Sequence, residues 1–417
     1  MANSGTVAAK PGGLHYGWII VVASFIAYAL VYGTVFYSFS VFANPVATAF
    51  GVKPAAVLWA FTLFNIGSGI VGLFGGQLLA KFPIKYVMMV GLIILGLGFT
   101  GAAFATSVPM FYACYAVIIA FGAVIVAPMG ASAIIANWFQ AHRGRALTLA
   151  TLGTSVGQFI LPPIAANLIA DYSYQTTYLI YAAMIVIIGI PAMFLLVVDK
   201  PEHKGVEPVG GLPQTNGAPS APPAPLSTGQ ILGNPDFWVI AAAYGLTVVV
   251  YLAITAAIVP YGKATFGPEL FNVGAVTKLT LLMGIAAIIG KLGFAAITDK
   301  IGLRHTFWIA VALNFVSASL LVFAPTFNNM YIAAACTGAS AGGVLPVWPG
   351  LIALRFGRQR LAQVMGLMAP LVLSIQGLGA PIAAQVGYKT VFPVFIVFTI
   401  LSAILSVGLN KPGKHST

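Results

Sequence analysis

The chain has 417 residues, 60% hydrophobic and 6% charged, with 19 Lys and Arg against 7 Asp and Glu for a net charge of +12. A soluble domain carries about 25% charged residues, so the composition excludes one and marks an integral membrane protein. The two cysteines, Cys114 and Cys336, fall in apolar runs, which excludes a disulfide framework and leaves them as small packing residues.

The first residues, MANSGTVAAKPGGLHYGW, lack a short apolar core followed by a cleavage site, so the first apolar run is expected to be retained rather than removed as a signal peptide. Twelve runs reach the roughly 20 residues that a helix needs to cross a bilayer. They lie at 17–42, 55–79, 85–106, 109–136, 146–169, 175–198, 237–260, 273–297, 305–325, 329–353, 362–386 and 390–409. The fold class expected is therefore all-α, with twelve transmembrane helices. The charge distribution orients them. Fourteen of the nineteen basic residues fall in segments on the side of the N-terminus, and only Lys53, Lys263 and Lys389 in loops on the other. The positive-inside rule then puts both termini in the cytoplasm of a multi-pass protein of the cell membrane. The basicity is a topology signal, and no nucleic acid partner is expected.

Between the sixth and seventh runs, residues 199–236 carry a stretch rich in Pro, Gly, Ala and Ser. Such a composition has little to bury, so 205–226 are expected to be a disordered cytoplasmic linker. The chain divides into an N-terminal half, 1–198, the linker, and a C-terminal half, 237–417. The halves echo each other. Basic loops follow the fourth run (NWFQAHRGRAL, 137–147) and the tenth (LRFGRQRLAQV, 354–364), and QFILPPIAA (158–166) parallels QGLGAPIAA (376–384) at an offset of 218 residues. Duplicated six-helix halves around a mid-membrane site are the repeat logic of secondary transporters. The repeat predicts two pseudo-symmetric bundles, with Gln158 and Gln376 converging on their common axis.

Lys291 is the residue that the apolar pattern least explains. It lies in the eighth run, within GIAAIIGKLGFAAITDK (284–300), where a charge costs about 2.5–3.5 kcal/mol on insertion scales. Eight residues of helix separate it from Asp299, roughly 12 Å, and a lysine side chain snorkels over about half of that. A water-filled cavity is the better solvent. Thr277, Thr280 and Gly284 share its helical face within about 40°. All seven acids lie at run ends or in loops, so no carboxylate inside the membrane pairs with it, and the missing partner is expected to be the substrate. Lys278, near the outer end, reads as a rim residue. Further candidate contacts are Tyr28, Tyr32 and Tyr37 in the first run, Tyr251 in the seventh, and Thr280.

The chain resembles major facilitator transporters over all twelve runs, and within them the oxalate–formate antiporter and monocarboxylate porter families. The residues that carry this are GW (17–18), FANPV (42–46), SVP (107–109), NWF (137–139) followed by RGRA, NPDFWV (234–239), VPYG (259–262) and DKIG (299–302). The superfamily pattern between the second and third spans is broken: Ala80 stands where the family has Asp, and Pro83 where it has Gly. The resemblance implies that Lys291 occupies the place of a substrate-binding Arg, eight residues before the loop aspartate. It also implies that Ala287 replaces a proton-carrying Asp, and that Tyr37 stands one residue out of register from a cavity-lining aromatic. The second cation of the oxalate–formate antiporter is absent from 366–379, which suggests a monoanion.

An intramembrane enzyme would need nucleophiles, metal ligands or paired acids in the spans, and the sequence has none; neither metal nor cofactor is expected, and no G-x4-GK[ST] loop points to ATP. The function expected is secondary active transport of a small organic monocarboxylate by alternating access, as proton-linked symport or anion exchange. The partners expected are a small organic acid and the lipid bilayer, with the protein working as a monomer. The alternative is an exporter of aromatic or lipophilic compounds on the same fold, which a cavity that does not expose Lys291 would favour.

Overall fold

The computed structural model describes residues 15–139, 143–210, 227–356 and 361–407. The protein is built from helices, because a segment surrounded by lipid must satisfy every backbone N–H and C=O within itself. The N-terminal half contains α1 (Gly17–Tyr37), α2 (Pro54–Leu79), α3 (Ile84–Ala103), α4 (Val108–Trp138), α5 (Arg145–Asp171) and α6 (Tyr174–Leu196). The C-terminal half opens with α7 (Pro235–Gly267), α8 (Gly274–Thr298) and α9 (Leu303–Phe323). It is completed by α10 (Phe327–Phe356), α11 (Leu361–Val386) and α12 (Tyr388–Ser406). A shorter helix, Phe39–Phe50, continues α1 beyond its end. Exposed side chains such as Phe74, Leu97, Val117, Ile187 and Phe323 are apolar, which suits a surface solvated by lipid.

Each half has its own core, and small residues bring its helices into contact. Gly153 on α5 sits so close to α1 that a Cβ there would lie 2.1 Å from the Phe25 carbonyl oxygen. In the C-terminal half α8 runs along α10, and α7 along α11. Two seams join the halves: α2 against α11 and α5 against α8. The repeat relates them, since Gln158 lies on α5 and Gln376, 218 residues on, lies on α11. At the first seam the Thr62 hydroxyl donates to the Gly377 carbonyl at 2.6 Å, and a Cβ on Gly377 would come within 2.9 Å of the Thr62 Cα.

The linker begins with structure rather than disorder. The Val209 N–H donates to the Trp138 carbonyl at 2.8 Å. The His15 ring meets the Glu207 carbonyl at 2.9 Å, and the Lys204 ammonium lies 4.8 Å from the centre of the Tyr16 ring. Residues 205–210 therefore depart from the expected disorder. Val209 gives this stretch apolar surface to bury and packs against the N-terminal core, and the ends of α1 and α4 offer backbone and aromatic partners. The remainder of the predicted linker, 211–226, lies outside the described residues.

Candidate functional site

A cavity of about 1940 Å³ lies between the halves. It runs from the middle of α1 and α7 to the end of the molecule that carries the basic loops. Lys81, Phe82, Pro83, Ile84, Lys200, His203 and Lys300 form its mouth. Among the described residues, none from the loops at the opposite end lines it.

The deep part is aromatic. Tyr28, Tyr32, Phe36 and Tyr37 come from α1, Phe64 from α2, Tyr244 and Tyr251 from α7, and Trp348 from α10. A local change of helix type puts so many α1 rings in one place. Residues five apart on an α-helix point roughly 140° away from each other, which would turn Tyr37 away from Tyr32. Residues Tyr32–Tyr37 instead form a π-helical turn, whose wider repeat brings i and i+5 to the same side. The Tyr32 ring stacks on Phe36 with centroids 4.5 Å apart, and Tyr244 on Trp348 at 5.1 Å. Tyr32, Tyr37, Tyr244 and Tyr251 thus gather their rings around the same deep space. The Tyr28 hydroxyl is 3.1 Å from Ser132 Oγ. Ser68 adds a buried hydroxyl at the wall with no protein partner.

Lys291 is not in that wall. It is buried, 3% exposed, in the seam between α5 and α8. Its ammonium donates to the Thr151 carbonyl at 2.7 Å, to Ser155 Oγ at 2.9 Å and to Thr154 Oγ1. This corrects the expectation of an ammonium standing free in a wet cavity. Three neutral oxygens of the other half satisfy its three donors. It nevertheless stands directly behind the wall. Thr151 and Leu292 both line the cavity, as does Tyr37.

The structure thus brings Tyr28, Tyr32, Tyr37, Tyr251 and Gln376 together around one space. Gln158 is half-buried on α5 and does not line the cavity, so the repeat-related glutamines do not share it. Thr280 is exposed, and its hydroxyl bonds back to the Val276 and Thr277 carbonyls of its own helix, both at 3.0 Å. It sits one turn beyond Gly284, where α8 approaches Phe159 of α5, so the closed seam separates it from the cavity. The sequence reading missed Phe36, Ser68, Ser132 and Trp348, which carry no charge to mark them. It also missed Thr151, Thr154 and Ser155, whose only signal was hydroxyls beside the packing glycines Gly153 and Gly157.

The charge of the cavity is one-sided. Lys81, Arg145, Lys200 and Lys300 line it, while its one lining acid among the described residues is Asp199, whose Oδ1 accepts the Lys85 N–H at 2.8 Å. A concave space with low-dielectric walls and cations at its mouth focuses a positive potential and concentrates anions.

A family profile described as Major Facilitator Superfamily matches residues 24–294. The chain is 25% identical over 429 residues to the oxalate:formate antiporter of Oxalobacter formigenes, a match covering 99% of this chain and 97% of that protein. It is 25% identical over 388 residues to monocarboxylate transporter 13 of Rattus norvegicus, covering 88% and 82%. Its fold is similar to that of a bacterial homologue of the human lysosomal transporter Spinster in an inward-facing, unoccupied conformation, with a TM-score of 0.67, 14% identity and coverage of 95% of this chain and 97% of the other.

Proposed function

The chain belongs to the Major Facilitator Superfamily, and on that footing we propose that it carries a small organic monocarboxylate across the membrane by alternating access, as proton-linked symport or anion exchange. The charge balance of the cavity is the observation that carries the reading: among the described residues, four basic side chains and one acid line it, and a further ammonium, Lys291, lies just behind its wall. The similarity to proteins named as an oxalate:formate antiporter and a monocarboxylate transporter supports the same class. With the basic end in the cytoplasm, as the positive-inside rule requires, the cavity opens inward. The anion enters past the basic mouth and reaches the phenols of Tyr28, Tyr32, Tyr37 and Tyr251 and the amide of Gln376. Its carboxylate draws the Lys291 ammonium out of the seam. The halves then rock about this mid-membrane site and release the anion on the other side.

Uptake of radiolabelled formate, lactate, pyruvate and benzoate into proteoliposomes, with and without a pH gradient, tests the reading. A charge-assisted hydrogen bond is worth roughly 1.5–3 kcal/mol, so Lys291→Gln should insert normally yet bind the anion about ten- to a hundred-fold more weakly. Lys291→Arg should retain part of the activity with altered selectivity, because a planar fork replaces a compact charge. Saturable uptake by Lys291→Gln equal to the parent's rejects the reading.

One observation favours a second reading, export of aromatic or lipophilic compounds. The deep cavity is ringed by aromatic side chains and Lys291 is 3% exposed. Under that reading neutral aromatic compounds are transported and Lys291→Gln leaves their flux intact.

A further inference from the structure

We propose that Thr154 and Ser155 form a lock that holds Lys291 across the α5–α8 seam in the empty carrier, so that the unloaded protein does not turn over and transport is an exchange of one anion for another. This rests on the reading that Lys291 receives the substrate carboxylate, and adds to it the resting partners of the ammonium and the consequence of their presence.

The geometry has three parts. First, the clasp crosses the halves: Lys291 belongs to α8, and all three of its acceptors, the Thr151 carbonyl, Thr154 Oγ1 and Ser155 Oγ, belong to α5. Second, the acceptors are set in advance. The Thr154 hydroxyl donates to the Thr151 carbonyl at 2.9 Å, so its lone pairs are free for the ammonium. Gly153 and Gly157 pin this stretch of α5 to the α1 backbone. Third, the clasp lies beside the cavity: Thr151, whose carbonyl accepts from the ammonium, and Leu292, next to the lysine in the chain, both line it.

Among the described residues, no buried charge clasps the other seam. Ala369 on α11 is the residue at the repeat-related position of Thr151, and what approaches it from α2 is Gly72, where an added Cβ would rest 3.6 Å from the Ala369 Cβ. Two small residues meet there, at the place where a buried charge bridges α5 and α8. The repeat does not require the lysine, and packing does not explain it.

A buried ammonium cannot be left without acceptors. As the halves of an empty carrier pass through the closed state between the two orientations, α5 shifts against α8 and the three oxygens are pulled from the ammonium before either side admits water to replace them. A carboxylate replaces them and cancels the charge. The anion thus interacts more favourably with the released lysine than with the clasped one, and that difference is what shifts the conformational equilibrium. The loaded carrier crosses and the empty one stays.

The test compares two fluxes of whichever radiolabelled probe (formate, lactate, pyruvate or benzoate) the parent takes up saturably. Efflux from loaded proteoliposomes is measured into buffer that holds the same unlabelled anion, which reports exchange, and into anion-free buffer, which reports net transport. The parent is expected to exchange at least about tenfold faster than it transports net, the factor that one charge-assisted hydrogen bond supports. In the Thr154→Val/Ser155→Ala double variant the two rates should converge, and the KM for exchange should fall because the anion no longer competes with α5. Thr154→Ser, which returns the hydroxyl, should recover the high ratio that Thr154→Val loses. A purely structural role would lower both fluxes together. A parent ratio near one, or a double variant that exchanges with the parent's ratio, overturns the lock. If the double variant does not insert, Ser155→Ala alone must still lower the ratio, and an unmoved ratio overturns the lock equally. Lys291→Gln separates the two readings. Saturable transport by that variant rejects the lysine as anion receptor, whereas its inactivity beside an unmoved ratio rejects the lock alone.

Discussion

The Thr62 hydroxyl on α2 donates to the Gly377 carbonyl on α11 at 2.6 Å, and this contact ties the halves together at the end away from the cavity mouth. No side chain larger than hydrogen fits at Gly377, because a Cβ there would lie 2.9 Å from the Thr62 Cα. Gly377→Leu should wedge this seam apart and shift the protein toward the state open on the other side. Spin labels on Lys53→Cys and Lys263→Cys, in a background free of Cys114 and Cys336, should report a longer distance in the variant. An unchanged distance distribution would mean that the seam does not control which side is open.

Tyr32 and Tyr251 line the cavity from opposite halves. Tyr32→Phe and Tyr251→Phe keep the ring and delete one donor each. A hydrogen bond of about 1 kcal/mol corresponds to roughly a fivefold rise in KM, with thermal stability in detergent little changed. Trp348→Ala behaves differently. It removes the ring stacked on Tyr244 and should lower the melting temperature as well as the transport rate.

Arg145 and Lys200 line the cavity and are expected to act on the anion at a distance. Arg145→Gln/Lys200→Gln should reduce the anion's association rate several-fold at low ionic strength, with the difference closing as salt shortens the Debye length to about 8 Å near 0.15 M. Equal effects at low and high salt would show that these side chains act by contact rather than by field.

The two parts of the linker should respond in opposite ways. Shortening 211–226 to a length that still joins the halves should leave transport near the parent level. Val209→Asp should not, because Val209 packs against Gly17 and its backbone bonds Trp138. Lower stability of the N-terminal half and slower transport are the expected outcome, read by limited proteolysis and by uptake.

Much of the architecture was legible in the sequence because the bilayer imposes a one-dimensional rule. A helix that crosses lipid needs about 20 apolar residues in a row, and that requirement is visible in a string of letters. The repeat was legible for a related reason. QFILPPIAA and QGLGAPIAA preserve spacing along the chain, and spacing along a chain becomes equivalent position in a bundle. Lys291 could be singled out because a charge inside an apolar run costs energy wherever the run folds.

The sequence could not decide what surrounds that charge. Lys291 and Ser155 are 136 residues apart and meet at 2.9 Å because Gly153 and Gly157 draw α5 onto α1 while Gly290 seats α8 against the Ala339 backbone of α10. Helical phase put Thr280 on the lysine's face, but phase says nothing about depth, and Thr280 is exposed with its hydroxyl bonded back to its own helix. The π-turn at Tyr32–Tyr37 lay beyond the pattern as well, since one inserted residue rotates every ring after it. Local rules of hydropathy and spacing therefore determined which segments cross the membrane and how they repeat. The packing of glycine-lined helices across hundreds of residues decided which polar groups face the cavity and which face one another.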